Sequence, residues 1–531
     1  MPTNEGVEVK QSPGAGKGLF ARNAFSPGDT VVAVDRPLVT ELEMDRMLDT
    51  CAWCCQRGAT NPIEKMNSAA MGLPTGFTEI KGCTGCQRVG YCSKACQSKA
   101  WKREHKYECK VIGVKDRPDL PPGVRGVIKI LGRLKANPKG EIEHVQDILN
   151  LWPAGDPKGL DKIITQDKKR FEDFNFLGRA AWHYCGSPTI DGLKEAQYTS
   201  IGLLSNIMND AFTLSSPLDD IEIGIGFDPL ICSANHSCDP NATLVFNQPG
   251  QEIRALRAIN PGEEIFIRYI EVTNPLSVRQ AELKERYFFT CQCTKCQKDV
   301  GLEADQFLKP PQDLKSEDHN LAGTLVRTAS NFLVGSSDSR QVAAIQADAY
   351  AVLENKQATI DEVKKAIKMC IDSKLWPWTR QPVPQLCRRL FALSLESGDV
   401  YMAFLVGIKL HCEILPPLYP QEFYPDRLIN AWVVSTVINV LCGPAHQTFQ
   451  EECAQRGLEP RIVYLGFLFY LHEHTPQMFG PKTPFGKVVQ STYEQIMAGI
   501  PIPEAAIKSN ISVAWTALET LSKSVDTSSL V

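Results

Sequence analysis

The string Asn235-His236-Ser237-Cys238-Asp239-Pro240-Asn241 decides the reading of this chain. Alone it is a polar turn, because Asp-Pro favours turn initiation. Its surroundings are more specific. Residues with high β-propensity cluster at Ile221–Ile225, Thr243–Phe246, Ile253–Ala258 and Ile265–Tyr269, so the turn sits inside a β-rich unit. Pro261-Gly262-Glu263-Glu264-Ile265 and Tyr269 follow it, and Cys291-Gln292-Cys293-Thr294-Lys295-Cys296 closes the region.

β-signals return at the N-terminal end. Val7-Glu8-Val9, Leu19-Phe20-Ala21 and Thr30–Val34 read as short strands around the glycine-rich Gly14-Ala15-Gly16-Lys17-Gly18 and the turn Ser26-Pro27-Gly28-Asp29. Between the two β-rich stretches lie the cysteine-dense residues 51–109, a Pro/Gly-rich loop at 118–125 and a mostly helical stretch to about 214. Residues 303–320 are polar and acidic, as a linker is. Beyond about 321, helical spacing recurs at 340–372, 383–414, 426–442, 461–473 and 484–498, which predicts an all-α domain of stacked helix pairs without a fixed repeat. The Ser/Thr-rich tail, 523–531, is expected to fray.

Composition narrows the class. A chain of 531 residues is too long for one hydrophobic core, so several domains are expected. A net charge of -4 supplies no global field toward nucleic acid or membrane. No apolar run approaches the ~20 residues of a bilayer span, and Met1 to Lys10 lacks an apolar signal core. The chain is therefore expected in a reducing compartment, where its 19 cysteines argue for metal rather than disulfides.

Cys51, Cys54, Cys83, Cys86, Cys92, Cys96, His105 and Cys109 form the pairs C-x2-C, C-x2-C, C-x3-C and H-x3-C. Such spacing lets one turn aim two ligands at one ion, and eight ligands make two tetrahedral zinc sites. Cys55 is a competing ligand. Residues 81–110 also carry Lys81, Arg88, Lys94, Lys99, Lys102, Arg103, Lys106 and Lys110 against Glu104 and Glu108. That positive patch is either a solvated helix face or a contact for nucleic acid or an acidic protein surface. The scattered Cys185, Cys232, Cys370, Cys387, Cys412, Cys442 and Cys453 read as small buried hydrophobes.

Tyr91-Cys92-Ser93-Lys94-Ala95-Cys96-Gln97, followed by Trp101, His105 and Cys109, resembles a MYND finger. The Asn235–Asn241 string with Glu263, Glu264, Tyr269 and the 291–296 cysteines resembles the core of SET-domain methyltransferases. Together they resemble the SET-and-MYND (SMYD-type) protein-lysine methyltransferases over residues 7–40, 51–109 and 200–300. The implied architecture is α+β and multidomain, with a β-rich SET domain split by the finger and threaded through a pseudoknot. Its parts would be the N-terminal SET portion at 1–50, the finger at 51–109, a helical insert at 110–200, the SET core at 201–272, a post-SET zinc segment at 273–300 and a helical, TPR-like domain at 321–531.

The resemblance implies interleaved ligation: one zinc at Cys51, Cys54, Cys92 and Cys96, another at Cys83, Cys86, His105 and Cys109. A third would sit at Cys238, Cys291, Cys293 and Cys296. S-adenosyl-L-methionine would meet the backbone at Gly16, Lys17 and Gly18 and the backbone and side chains of Asn235 and His236. Tyr287 and Phe289 would line the adenine and lysine channel, and Tyr269 would orient the target amine. The chemistry is consistent: a neutral lysine at pH 7 costs roughly 4–5 kcal/mol, which an apolar channel and a neighbouring sulfonium reduce. No carboxylate base is nominated.

Two departures stand out. The insert between Cys54 and Cys83 is long, and in Asn209-Asp210-Ala211-Phe212-Thr213 Asp210 sits where the resemblance implies Asn, unless the strand is shifted by one residue and Asn209 takes that place. The substrate is expected to be a histone tail or a non-histone protein, with proline-containing peptides at the finger, no membrane partner, and residence in cytoplasm and nucleus. The alternatives are a weakly active or inactive SET-MYND scaffold that recruits partners, and a DNA-binding regulator using the 81–110 patch.

Overall fold

Twelve short strands and twenty α-helices are assigned among the described residues of the computed structural model, which are 4–13, 16–58, 79–114, 119–151, 159–189, 196–216, 218, 221–300, 337–500 and 504–530. Gly14, Ala15, most of the insert between Cys54 and Cys83, and the 303–320 stretch lie outside them. The strands are β1 (Val7–Ser12), β2 (Gly16–Ala21), β3 (Thr30–Val34), β4 (Val39–Leu42), β5 (Lys81–Gly82), β6 (Gly90–Tyr91), β7 (Phe212–Ser215), β8 (Glu222–Phe227), β9 (Asn235–His236), β10 (Ala242–Asn247), β11 (Gly250–Ala255) and β12 (Phe266–Ile267).

β1 and β2 form an antiparallel hairpin with Val7 opposite Ala21 and Ser12 opposite Gly16. β11 is central between β10 and β3, and β8 is central between β4 and β7. Leu19, Val32, Ile253, Ile265 and Ile267 form the dry core of this β-unit. β9 and β12 pair in parallel, Asn235 opposite Phe266 and His236 opposite Ile267. The segment leading into β12 also bonds to the N-terminal hairpin: the Ala21 N–H donates to the Glu263 carbonyl (2.9 Å) and the Ile265 N–H to Leu19 (2.8 Å). On its other side the Asn241 side chain donates to the Glu264 carbonyl (2.9 Å) and accepts the Phe266 N–H (2.8 Å). Residues 261–269 are thus held between β2 and the Asn235–Asn241 segment.

The finger contributes α1 (Lys94–Ala100), a π-helical turn at Trp101–His105 and α2 (Lys106–Ile112). The insert is helical: α3 (Pro122–Ala136), α4 (Pro138–Leu149), α5 (Gly159–Gln166), α6 (Lys168–Tyr184) and α7 (Ala196–Asp210). α3 is the hub, packing on α2, α4, α6, α7 and β4. Lys129 of α3 reaches Glu41 of β4 (2.8 Å) and Glu108 of α2 (3.2 Å), all three buried. Charges removed from water need such pairing, and here it joins finger, insert and β-unit.

α8 (Leu276–Tyr287) and α9 (Thr294–Lys298) follow the β-unit. The C-terminal half holds α10 (Ser337–Glu354), α11 (Ile360–Asp372), α12 (Val383–Ser397), α13 (Val400–Lys409), α14 (Leu415–Leu418), α15 (Pro425–Leu441), α16 (Gln447–Gln455), α17 (Pro460–Met478), α18 (Pro484–Ala498), α19 (Glu504–Ser524) and α20 (Thr527–Leu530). Two stretches read as continuous divide. The first breaks before Thr359, whose hydroxyl and Glu362 form a capping box. The second breaks at Gly398, in the left-handed region at φ +78°, after which Asp399 caps α13. Within the tail, Asp526 accepts the Ser528 and Ser529 N–H groups (2.9 and 3.0 Å), and Leu530 is buried.

One 19-residue stretch, Val400–Leu418, comes closer to a bilayer span in length and apolarity than the sequence reading allowed. It belongs to the core of the helical half: most of it is buried, and Lys409 within it pairs with Glu413 (2.9 Å). The helical half grips the β-unit just beyond Tyr269. Asp426 pairs with Arg268 (3.0 Å) and Arg388, the Tyr419 hydroxyl meets Glu271 (3.1 Å), and the Tyr350 hydroxyl meets Asn274 (3.0 Å).

Candidate active site

The Asn235 amide joins three segments. It donates to the Lys17 carbonyl (3.0 Å) and to Glu264 Oε1 (2.8 Å), and Glu264 Oε2 accepts the Ser12 hydroxyl (2.9 Å). Gly18 lies against this junction: a Cβ there would fall 2.3 Å from Glu264 Oε1 and 2.9 Å from Asn235 Nδ2. Gly16 opens β2 at φ +73°, a conformation other residues rarely adopt. Lys17 therefore turns its backbone to Asn235 while its side chain is exposed. Glu264 and Ser12 received no role from the sequence, since a contact across 252 positions leaves no local signal.

The His236 ring is buried and engaged at both nitrogens. Nδ1 accepts the Tyr269 backbone N–H (3.0 Å), and Nε2 faces the Cys238 sulfur (3.2 Å). That leaves the backbone of His236, rather than its ring, for a bound molecule. Tyr269 donates its phenol proton to the Ala234 carbonyl (2.7 Å). Its ring lies 5.0 Å from Tyr287, 5.4 Å from His236 and 6.3 Å from Phe212, while Phe289 lies 6.1 Å from His236. The four residues Tyr269, His236, Tyr287 and Phe289 thus share one aromatic wall. Burial, and after it the Asp210 charge, push the Tyr269 phenol well above its ordinary range, so it is a neutral donor at neutral pH. Burial pushes Tyr287 up to about 12.

Asp210 ends α7 beside this wall. Its carboxyl accepts the Asn209 amide (2.6 Å), and its carbonyl accepts the Cys232 thiol (3.3 Å). Burial pushes the carboxyl up to about 8, so at neutral pH it is mostly protonated.

Three groups of ligand atoms lie within 4.8 Å of one another: Cys51, Cys54, Cys92 and Cys96; Cys83, Cys86, His105 and Cys109; and Cys238, Cys291, Cys293 and Cys296. A tetrahedral ion with bonds of about 2.3 Å separates its sulfurs by about 3.8 Å. Measured gaps are 3.6 Å for Cys54–Cys92, 4.0 Å for Cys83–Cys109 and 3.5 Å for Cys238–Cys296. Each donor set and its spacing fits zinc. Glu108 holds His105 Nδ1 (2.9 Å) while Nε2 faces the Cys83 sulfur (3.3 Å), the carboxylate–histidine support common behind metal ligands. Cys55 is not a ligand. Its left-handed backbone (φ +60°) turns it into an apolar group with Leu214 and Ile223, where burial pushes its thiol up to about 12. In the third group, Gln280 of α8 clamps Cys291 through its N–H and carbonyl (2.9 and 2.7 Å).

The 81–110 patch is more one-sided than its composition. Glu104 and Glu108 are buried, while Lys81, Lys94, Lys99, Lys102, Lys106 and Lys110 are exposed. Arg88 pairs with Asp119 (2.8 Å).

Comparison with known proteins agrees with this arrangement. Residues 16–270 match the SET domain family. The chain is 30% identical over 255 residues to human histone-lysine N-methyltransferase SMYD3, covering 45% of this chain and 57% of the relative. It is 28% identical over 288 residues to SET domain and MYND-type zinc finger protein 6 of Schizosaccharomyces pombe, covering 54% and 51%. It is 28% identical over 298 residues to human N-lysine methyltransferase SMYD2, covering 55% and 60%. The chain spans little more than half the length of these relatives. With a SET-domain match over residues 16–270, two ligand clusters in the segment set into it and a third cysteine cluster behind Tyr269, this chain is similar to the SET-and-MYND proteins.

Proposed function

We propose that this chain is a protein-lysine N-methyltransferase that uses S-adenosyl-L-methionine and acts on histone or non-histone proteins. The observation that carries the reading is convergence: the Gly16–Gly18 backbone meets Asn235, 218 positions further on, beside the Tyr269–Tyr287–Phe289 wall. S-adenosyl-L-methionine supplies an electrophilic methyl on a sulfonium. Gly16, Lys17, Gly18, Asn235 and the His236 backbone would hold it, with Tyr287 and Phe289 beside it. The apolar wall disfavours an ammonium, so an inserted lysine loses its proton more readily than in water. Tyr269, neutral and fixed by Ala234, orients the amine, and alignment supplies much of the acceleration. Zinc at the three clusters would be structural, since each set closes four positions with protein atoms.

The exposed lysines of the finger support an acidic partner, nucleic acid or protein, as a further contact. Such a protein is expected in both cytoplasm and nucleus.

The test is transfer of radiolabel from S-adenosylmethionine to histones or a lysate pool, beside Tyr269→Phe. The variant keeps the ring packing and loses the hydroxyl, so transfer is expected to fall on the order of 100-fold with cofactor binding retained. Absence of transfer, or transfer untouched by the substitution, would leave the scaffold reading in its place.

A further inference from the structure

Three guanidiniums crowd one carboxylate where the finger, the helical insert and the β-unit meet. Arg36 lies 2.8 Å from Glu104, Arg133 3.6 Å and Arg103 3.7 Å. Glu141 approaches Arg133 at 3.2 Å. The donors are left over: Arg133 Nη2 and Arg36 Nε, on side chains only 7% exposed, have no hydrogen-bond partner. A buried guanidinium nitrogen without a partner carries a desolvation cost, which a bound acceptor would remove.

All three arginines and Lys102 line one cavity of about 590 Å³. They arrive from three places: the loop after β3, the π-helical turn of the finger, and α3. Donors converging from several directions suit a tetrahedral oxyanion better than a planar carboxylate. The volume is that of a ligand pocket rather than a seat for one ion. Glu141, Asp147 and Asp228 also line it, so a run of phosphates would meet carboxylates beyond the cationic side, and a single phosphate group fits better than a nucleic-acid backbone.

We propose that this cavity binds a phosphomonoester, as on a phosphorylated serine or threonine of a partner peptide, through Lys102, Arg103 and Arg133. The seam would then read the phosphorylation state of a protein separately from the cleft at Tyr269.

The zinc-loaded full chain is titrated with inorganic phosphate, followed by thermal melting at fixed ionic strength. A fluorescent alanine-flanked phosphoserine peptide and its unphosphorylated twin are titrated by polarisation. Phosphate is expected to raise the melting temperature beyond the matched chloride control, and the phosphopeptide to bind at least about tenfold tighter than its twin. Lys102→Gln with Arg103→Gln should remove most of both effects. Lys102 is exposed and Arg103 partly so, which keeps that variant foldable, and Arg133→Gln is the buried counterpart. Tighter binding of the peptide than of inorganic phosphate assigns the group to a protein side chain, and the reverse order assigns free phosphate. Failure of both ligands to bind, or binding that Lys102→Gln with Arg103→Gln leaves intact, overturns the site.

Discussion

Asp210 is a carboxyl at a place where the resemblance leads one to expect an amide, and its environment bears on that difference. Burial raises it from 3.8 to about 8, and the Asn209 amide recovers only part of the cost of charge. The unfolded chain loses this proton near 3.8, whereas the folded chain keeps it until about 8. Ionisation therefore favours unfolding, and the group erodes stability as pH rises through that window. Asp210→Asn is expected to remove a cost of on the order of 5 kcal/mol at pH 8 and about 0.5 kcal/mol at pH 4. Urea denaturation at both values checks this; a pH-independent effect would contradict a raised carboxyl. Gly18 makes a second residue-scale case. An alanine there must displace Glu264 or Asn235, each within 3 Å of the new methyl. Losing one such hydrogen bond costs about 1–1.5 kcal/mol, so Gly18→Ala should weaken cofactor binding roughly tenfold by calorimetry, with zinc content unchanged.

At the scale of elements, β9 is two residues long and stands by what holds it. Its His236 braces Tyr269, and Cys238 just beyond it belongs to the third cysteine group. That group packs with Ile270, Val272 and Leu283, and against Tyr269, Tyr287 and Phe289. A segment this small has too little core to order itself without metal. Stripping zinc from the third group, or Cys296→Ser, is expected to abolish cofactor binding while the helical half keeps its own melting transition. Zinc release followed with a colorimetric chelator, in parallel with cofactor calorimetry, measures both. Binding that survives loss of this ion would mean the aromatic wall is ordered by packing alone.

Across the whole molecule, the helical half acts on the site through the 268–274 segment. Asp426 is buried between Arg268 and Arg388, and Arg268 adjoins Tyr269 in sequence. Removing one member of a buried charge group leaves its partners uncompensated, typically about 3–5 kcal/mol. Asp426→Ala should therefore destabilise the docking and lower kcat more than it raises KM, with faster amide exchange across 268–274. Exchange confined to the helical half would detach it from the proposed cleft at Tyr269.

Much of this architecture is written in local spacing. C-x2-C, C-x3-C and H-x3-C can each be read as ligand pairs because one turn suffices to aim them, and the structure gathers those four pairs into two groups, with Cys238 and the 291–296 cysteines making a third. β-rich and helix-rich stretches are equally local, as period and propensity act over a few residues. What sequence reading missed depends on residues far apart in the chain. Cys55 looked like a ligand until a left-handed turn put it in an apolar group. Glu264 gained its place from Ser12 and Asn235, Lys129 from Glu41 and Glu108, and Asp426 from Arg268. The sequence alone determined the ligand pairs and the class of each stretch, because both are set by neighbours along the chain. Only the tertiary structure decided which groups are buried together, and with that the protonation of Asp210, the brace on Tyr269 and the unpartnered arginines at the seam.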